Sequence, residues 1–395
     1  MLDVPEERID WRAKGFWLPD ASLTAAEVAA GKPGIFGGGF TWPLLVVRES
    51  AVRANIATMA AYCARHGLDF APHAKTTMAP ALLGAQLEAG AWGLTVATPN
   101  QALILRKLGV PRVFIANEVL DPTALRWLAE QTEAGWEVYF QVDSVAGVEA
   151  AAAALAGSGR LRAVAELGHA GGRTGARTIN DLEVVARSAA AVERLELAGV
   201  TGYEGQLTEL SAVDAFLDQL GEAVRALSAA GLLPPRPIVS AGGSVWFDRV
   251  VARLAGADLG RLILRSGASV THDDGYYRER TPFNRVAGEG PLHAAMEMWA
   301  QVISTPEPGL ALAGMGKRDA PFDEGLPVVL APGGLTVTKL NDHHAYLRVA
   351  PDVAVGPGDL IRFGLSHPCT AFDKWREIPV VDDDHRVVDV LHTYF

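Results

Sequence analysis

The sequence predicts an α/β protein: a (β/α)8 barrel of TIM type followed by an all-β domain. Three observations carry this reading. From residue 44 to residue 266, short apolar runs alternate with longer Ala-, Leu- and Glu-rich stretches of helical spacing. Eight or so such repeats in about 220 residues match the size of a (β/α)8 barrel. From residue 293 onward the runs are strand-like and separated by turns, and helical patterns are scarce.

The elements follow in chain order. Residues 1–42 read as an N-terminal arm with one helix at 23–30, capped by Ser22. Residues 43–270 read as the barrel. Its strands are the apolar runs at 44–47, 69–71, 93–97, 112–116, 137–142, 162–167, 196–202, 237–241 and 261–266. Its helices are predicted at 50–66, 79–89, 122–133, 144–156, 179–193 and 210–230. Strands that alternate with helices in this way form a parallel sheet. Residues 271–292, rich in Asp, Tyr, Arg and Gly, read as a connection. Residues 293–395 read as the β domain, with strands at 299–304, 328–330, 335–340, 346–349, 360–363 and 378–381.

Composition narrows the function. The 395 residues are 49% hydrophobic and 21% charged, enough for a large core and incompatible with a disordered chain. Against 46 Asp and Glu stand 35 Lys and Arg, a net charge of −11, which argues against nucleic acid or an anionic membrane as the main partner. No apolar run is long enough to span a membrane, and the first residues lack the apolar region of a signal peptide. The two cysteines, Cys63 and Cys369, are too few for a disulfide framework, so a reducing cytoplasm is expected.

A barrel of this kind carries its chemistry at the C-terminal ends of its strands. Four segments there and in the β domain hold the relevant residue types. In Pro72-His73-Ala74-Lys75-Thr76, His73 and Lys75 are two apart and are expected to share one strand face. An amine in a low-dielectric position has a lowered pKa, which suits Schiff-base chemistry; an ion-paired structural lysine is the competing reading. Segment 164–175 runs from a strand into a glycine-rich loop holding Arg173, a residue type that meets oxyanions. Ala241-Gly242-Gly243-Ser244 precedes a helix expected to start near Val245 with Ser244 as its cap, an arrangement that can bind an anion through backbone N–H groups. Arg265-Ser266-Gly267-Ala268 ends the next strand in the same way. In the β domain, His367 and Cys369 are two apart and can offer imidazole and thiolate to one metal. His343 and His344 read as a solvated turn. Asp273, Arg278, Lys317, Arg318 and His344 read as surface or interface charges.

In this order the segments resemble the fold-type III pyridoxal-phosphate enzymes, and among them the D-serine dehydratase-like group, over residues 43–395. The lysine segment, Gly172-Arg173-Thr174-Gly175, Tyr203-Glu204-Gly205, the 241–244 loop and His367-Pro368-Cys369 carry the resemblance. It implies an alanine racemase-like barrel in which Lys75 holds pyridoxal 5'-phosphate as a Schiff base and then acts as the base at Cα. Arg173 would contact the cofactor near its phenolic oxygen, Tyr203 would lie by the pyridine ring, and His73 would also belong to the cofactor site. Gly242, Gly243, Ser244, Gly267 and Ala268 would hold the phosphate. His367 and Cys369 would bind zinc, which as a Lewis acid assists loss of a β-hydroxyl.

The activity implied is α,β-elimination of a D-β-hydroxy amino acid to a 2-oxo acid and ammonia. D-threonine aldolase chemistry is the nearest alternative; its metal pair tends to be His-x-Asp with manganese or magnesium, and the softer Cys369 favours zinc and elimination. An amino-acid racemase needs a tyrosine from the β domain, and neither Tyr346 nor Tyr394 has an obvious family context. A non-catalytic pyridoxal-phosphate-binding protein on the same barrel would lack the β domain. The resemblance also implies a homodimer and a small-molecule D-amino acid as the partner.

Overall fold

The computed structural model describes residues 2–155 and 159–395. The chain divides into two compact units. The first is built mainly from Ala60–Lys75 and Gln86–Gly267, the second from Val4–Met59, Thr76–Ala85 and Ala268–Phe395.

The first unit contains the expected barrel. Its eight strands are Asp69–Phe70, Leu94–Val96, Arg112–Glu118, Glu137–Val142, Leu161–Leu167, Leu195–Gly202, Ile238–Ala241 and Arg261–Leu264, paired in parallel around the sheet. The ring closes between the first two strands. There the Trp92 N–H donates to the Phe70 carbonyl at 2.7 Å and the Thr95 N–H to the Pro72 carbonyl at 3.0 Å. Ala71, Phe114, Tyr139, Val164, Ala198, Ile238 and Ile263 pack into one buried cluster, as a filled barrel interior requires.

Helices follow the strands with local signals that explain them. Asp121 accepts from the Thr123 and Ala124 N–H groups and caps Pro122–Glu133, with proline in its first turn. Ser144 caps Val145–Ala154 and Thr178 caps Ile179–Ala190. Residue 156, the end of the helix expected at 144–156, lies outside the described residues. Helix Leu210–Ala229 buries one stripe of Val213, Phe216, Leu217, Leu220 and Val224. Helix Pro99–Lys107 escaped the sequence pattern, while the helix expected near Val245 is present as Phe247–Leu254. It starts later than expected: Trp246, with no capping side-chain bond, takes the N-cap position assigned to Ser244.

The run at 44–47 is not a barrel strand. Leu44–Arg48 lies in the second unit, antiparallel to Met296–Glu307 and parallel to Glu377–Val381. The reason for the misreading is burial on both faces. Leu45 and Val47 join one core with Met296, Met298, Ile361, Phe363, Phe372 and Ile378. Leu44 and Val46 join another with Ile9, Phe16, Val28, Ile35 and Val387. A strand covered on two sides has the same continuous apolar run as a strand of a parallel barrel. The N-terminal segment is therefore the cover of this sheet face. Its helix is Ala25–Gly31, and Thr24, not Ser22, caps it in a capping box with Glu27.

The long strand Met296–Glu307 organises the rest of the second unit. Leu360–Gly364 pairs with its first half, opposite Leu44–Arg48, and Leu310–Ala313 pairs with its second half. Leu335–Leu340, Ala345–Val349 and Val387–His392 extend the sheet, and Val328–Ala331 pairs with Leu360–Gly364. Among the described residues, no helix is long and apolar enough to cross a membrane.

Buried Asn55 ties this unit together. Its amide donates to the carbonyls of Val270 and His293 and its oxygen accepts from the His293 N–H at 2.7 Å. Replacing it with alanine leaves three backbone groups unpaired. Asn55→Ala should lower stability by about 2 to 3 kcal/mol, read as a shift of the urea midpoint.

Candidate active site

In the first unit a polar group fills the strand-end interior. Lys75 sits in the 3-10 turn Ala74–Thr76, half-buried, five residues after the first strand ends at Phe70. His73 and Lys75 therefore do not share a strand face as expected; only His73 keeps a sheet contact, a bridge to Thr95. His73 Nδ1 is buried without a partner. Burial holds the His73 pKa well below its ordinary value, and the charges of Lys75, Arg265 and Arg173 push it the same way, so the ring is neutral.

Arg265 is buried at the end of the last strand. It donates to the Gly202 carbonyl at 2.9 Å and to Thr201 Oγ1 at 3.2 Å, and its guanidinium lies 5.3 Å from the Phe114 ring centroid. Burial pulls its pKa down, while the charges of Glu166 and Glu204 support the cation. Glu166 accepts from Thr174 Oγ1 at 3.2 Å, and burial raises its pKa.

The arginine loop is folded back on itself. Arg177 donates to the carbonyls of Gly172, Thr174 and Gly175, and the Gly175 N–H donates to Asp143 at 2.7 Å. Gly175 has φ +95°, and a Cβ there would collide with the Gly168 backbone. These contacts leave Arg173 exposed, with its guanidinium 4.4 Å from the Tyr203 ring centroid.

Tyr203 also packs on the glycine loop: a Cβ on Gly243 would lie 3.0 Å from its ring. The Gly242 and Gly243 N–H groups, expected to face a phosphate, donate instead to Glu204 at 3.1 and 2.6 Å. Ser266 Oγ donates to the carbonyls of the same two glycines. Gly242 takes φ +98°, which admits glycine most readily. The structure thus gathers His73, Lys75, Arg173, Tyr203, Gly242 and Gly243 in one unit. Gly267 is the last residue of that unit, and Ala268 opens the turn Ala268–Val270 of the other.

The chemistry of this group fits pyridoxal phosphate. It offers an amine, an arginine over an aromatic ring and a glycine loop. It also leaves buried polar atoms, His73 Nδ1, Glu166 Oε2 and Arg265 Nε, without protein partners.

In the second unit His367 follows strand Leu360–Gly364 in a left-handed conformation, φ +67°. That is uncommon for a residue other than glycine. Asp273 holds it there. One carboxylate oxygen accepts the His367 N–H at 2.8 Å, and the other accepts those of Gly275, Tyr277 and Arg278. Asp273 is thus a buried anchor and not a surface charge. Its pKa is raised by burial, against the pull of the four amides.

His367 Nδ1 donates to Asp323 at 2.7 Å. Burial alone would lower the His367 pKa, but Cys369 and Asp323 outweigh it and push the value up to about 9. The Cys369 sulfur has two hydroxyl neighbours, Thr76 Oγ1 at 3.7 Å and Tyr277 at 4.0 Å. Among the described residues, no group of three or more His, Cys, Asp and Glu side chains is arranged to hold a metal. The pair suits a borderline-soft ion that keeps positions for other ligands, and the carboxylate on the second ring nitrogen is a common companion of a metal-bound histidine.

Comparison with known proteins bears on the fold. Residues 47–261 match the family model "Alanine racemase, N-terminal domain". The chain belongs to that family of fold-type III pyridoxal-phosphate enzymes. Residues 295–381 match a second model, "Putative serine dehydratase domain". Among its relatives is a 3-hydroxy-D-aspartate aldolase of Paracoccus denitrificans, 27% identical over 79% of this chain and 81% of that one. A D-threonine aldolase of Arthrobacter sp. is 26% identical over 86% and 89%. A D-threo-3-hydroxyaspartate dehydratase of Delftia sp. is 30% identical over 51% and 55%. The structure of D-threonine aldolase from Filomicrobium marinum superposes with a TM-score of 0.77 at 22% identity, covering 90% of this chain and 95% of that one. A metal-free cysteine-to-alanine variant of D-threo-3-hydroxyaspartate dehydratase gives 0.73 at 22% identity, covering 90% and 97%. At these identities the structural likeness speaks for the fold.

Sequence reasoning placed Glu166, Glu204 and Arg265 inside its segments without giving them a role, and did not reach Asp323. The first three had a signal, since a charged residue at the end of an apolar strand is buried and needs a partner. Asp323 had none, because it meets His367 only across 44 residues of chain.

The two cysteines should differ in reactivity. Cys63 is buried, and its thiol is pushed up to about 12, first by burial and then by Asp69. A thiol reagent at pH 8 should modify only Cys369 in the native protein and both thiols in denaturant. Cys369→Ser should leave no reactive thiol in the native state.

Proposed function

We propose that this chain is a pyridoxal-phosphate- and zinc-dependent lyase that eliminates the hydroxyl of a D-β-hydroxy amino acid and yields a 2-oxo acid and ammonia. The observation that carries elimination is the thiol of Cys369 paired with His367, a donor set that favours zinc over harder ions.

When bound, the cofactor draws electrons from Cα and the metal from the β-hydroxyl. The chain supplies the rest. Lys75 would hold the cofactor through Nζ and then take the Cα proton on that atom. Arg173, positioned by its loop over Tyr203, offers a cation to the cofactor's phenolic oxygen. His73, neutral beside three cations, contributes a hydrogen-bonding ring without adding charge. Glu204 uses the Gly242 and Gly243 amides to set the shape of the glycine loop, so in this unit phosphate contacts would fall to Ser244 and Gly267. Loss of the Cα proton and the β-hydroxide, followed by uptake of water, converts D-threonine to 2-oxobutyrate and ammonia with no net change in atoms.

A second reading, retro-aldol cleavage, draws on the two aldolases among the relatives. It would break the Cα–Cβ bond and give glycine and an aldehyde from the same substrate.

One assay separates them. With D-threonine, 2-oxobutyrate and ammonia are expected in equal amounts, and glycine with acetaldehyde would overturn elimination. Chelation, or Cys369→Ala, should abolish 2-oxo acid formation and leave the visible band of the lysine-bound cofactor in place. Lys75→Ala should lose that band and lower kcat by about 1,000-fold or more.

A further inference from the structure

We propose that Asp323 is a positioning residue for metal binding: its carboxylate keeps the proton of the His367 ring on Nδ1, which leaves the lone pair on Nε2 for the metal. The proposal rests on the reading of His367 and Cys369 as metal donors.

The geometry is specific. Asp323 Oδ2 lies 2.7 Å from His367 Nδ1, and Asp323 Oδ1 accepts from Thr370 Oγ1 at 3.1 Å. Both carboxylate oxygens are therefore engaged, one by the ring and one by the residue after Cys369. A carboxylate only accepts, so it selects the tautomer with the proton on Nδ1. The opposite tautomer would present an N–H to a metal and could not bind it. His367 cannot adjust by backbone motion, because its N–H is tied to buried Asp273. The side-chain bond to Asp323 thus sets which nitrogen is free and how the ring is turned.

Asp323 is not needed to keep its loop in place. The neighbouring Glu324 carbonyl accepts from Ser366 Oγ at 2.8 Å, and Ser366 Oγ in turn accepts from the Tyr276 N–H at 3.1 Å. The loop stays joined to the segment before His367 when the Asp323 side chain is removed.

The test uses cofactor-loaded protein, stripped of metal by chelation and titrated with Co2+. The readouts are the thiolate-to-cobalt absorbance and the ligand-field bands. Asp323→Ala should raise the Kd for Co2+ by about 10- to 100-fold, with unchanged melting temperature and cofactor band. Asp323→Asn keeps an oxygen that can accept from Nδ1 and should recover part of the loss. A Kd unchanged in Asp323→Ala, while His367→Ala loses the cobalt bands, would overturn the proposal. Altered ligand-field bands in Asp323→Asn would make Asp323 a ligand itself, and overturn it too. A wild-type protein with no thiolate-to-cobalt band would remove the metal reading and this proposal with it.

Discussion

The strand-end interior of the barrel is arranged around one buried guanidinium. Arg265 has lost most of its water, and a charge in that position must be neutralised and hydrogen-bonded nearby. The strands respond in a connected way. Thr201 and Gly202 accept from it, and Glu166 and Glu204 supply opposite charge. Glu204 then passes the constraint on by accepting the amides of Gly242 and Gly243, and Glu166 does so by accepting from Thr174 in the arginine loop. The two loops that flank Tyr203 are therefore both shaped, at one remove, by the same cation.

The second unit solves a similar problem with an anion. Asp273 is buried with no cation bonded to it, and four backbone N–H groups take that role. The amides favour the charged carboxylate, while burial, the larger effect, raises its pKa. By accepting the amides Asp273 joins the start of helix Tyr276–Arg280 to the backbone of His367 and holds a left-handed conformation there. The side chains that could take a metal are thus presented by backbone geometry, and the fine orientation is left to one further carboxylate.

The family of the chain is established by its barrel, whereas the reaction is not, and the difference has a chemical origin. Aldolases and dehydratases of D-β-hydroxy amino acids both place negative charge on Cα, the dehydratase by losing the Cα proton and the aldolase by breaking the Cα–Cβ bond. They diverge in which bond at Cα breaks, a choice governed by a few side chains around the β-hydroxyl. A likeness of backbones at about one-fifth identity does not reach those side chains. The proposal of elimination rests instead on the His367–Cys369 donor set.

By itself the sequence determined the alternation of strands and helices, nine apolar runs of which eight are barrel strands, and the segments that hold Lys75, Arg173, Tyr203, the glycine loop and the His367–Cys369 pair. Those are local properties: apolar periodicity, helix caps and short motifs at strand ends. Only the tertiary structure decided where Leu44–Arg48 belongs, because a strand buried on two faces has the same apolar run in a sheet as in a barrel. It alone decided that the N-terminal segment covers a sheet face, that Glu204 occupies the amides of Gly242 and Gly243, and that Asp273 and Asp323 hold His367. Each of these joins residues from 38 to 94 positions apart or more. Charge compensation and burial act through space, and nothing in the local pattern records which distant partner will satisfy them.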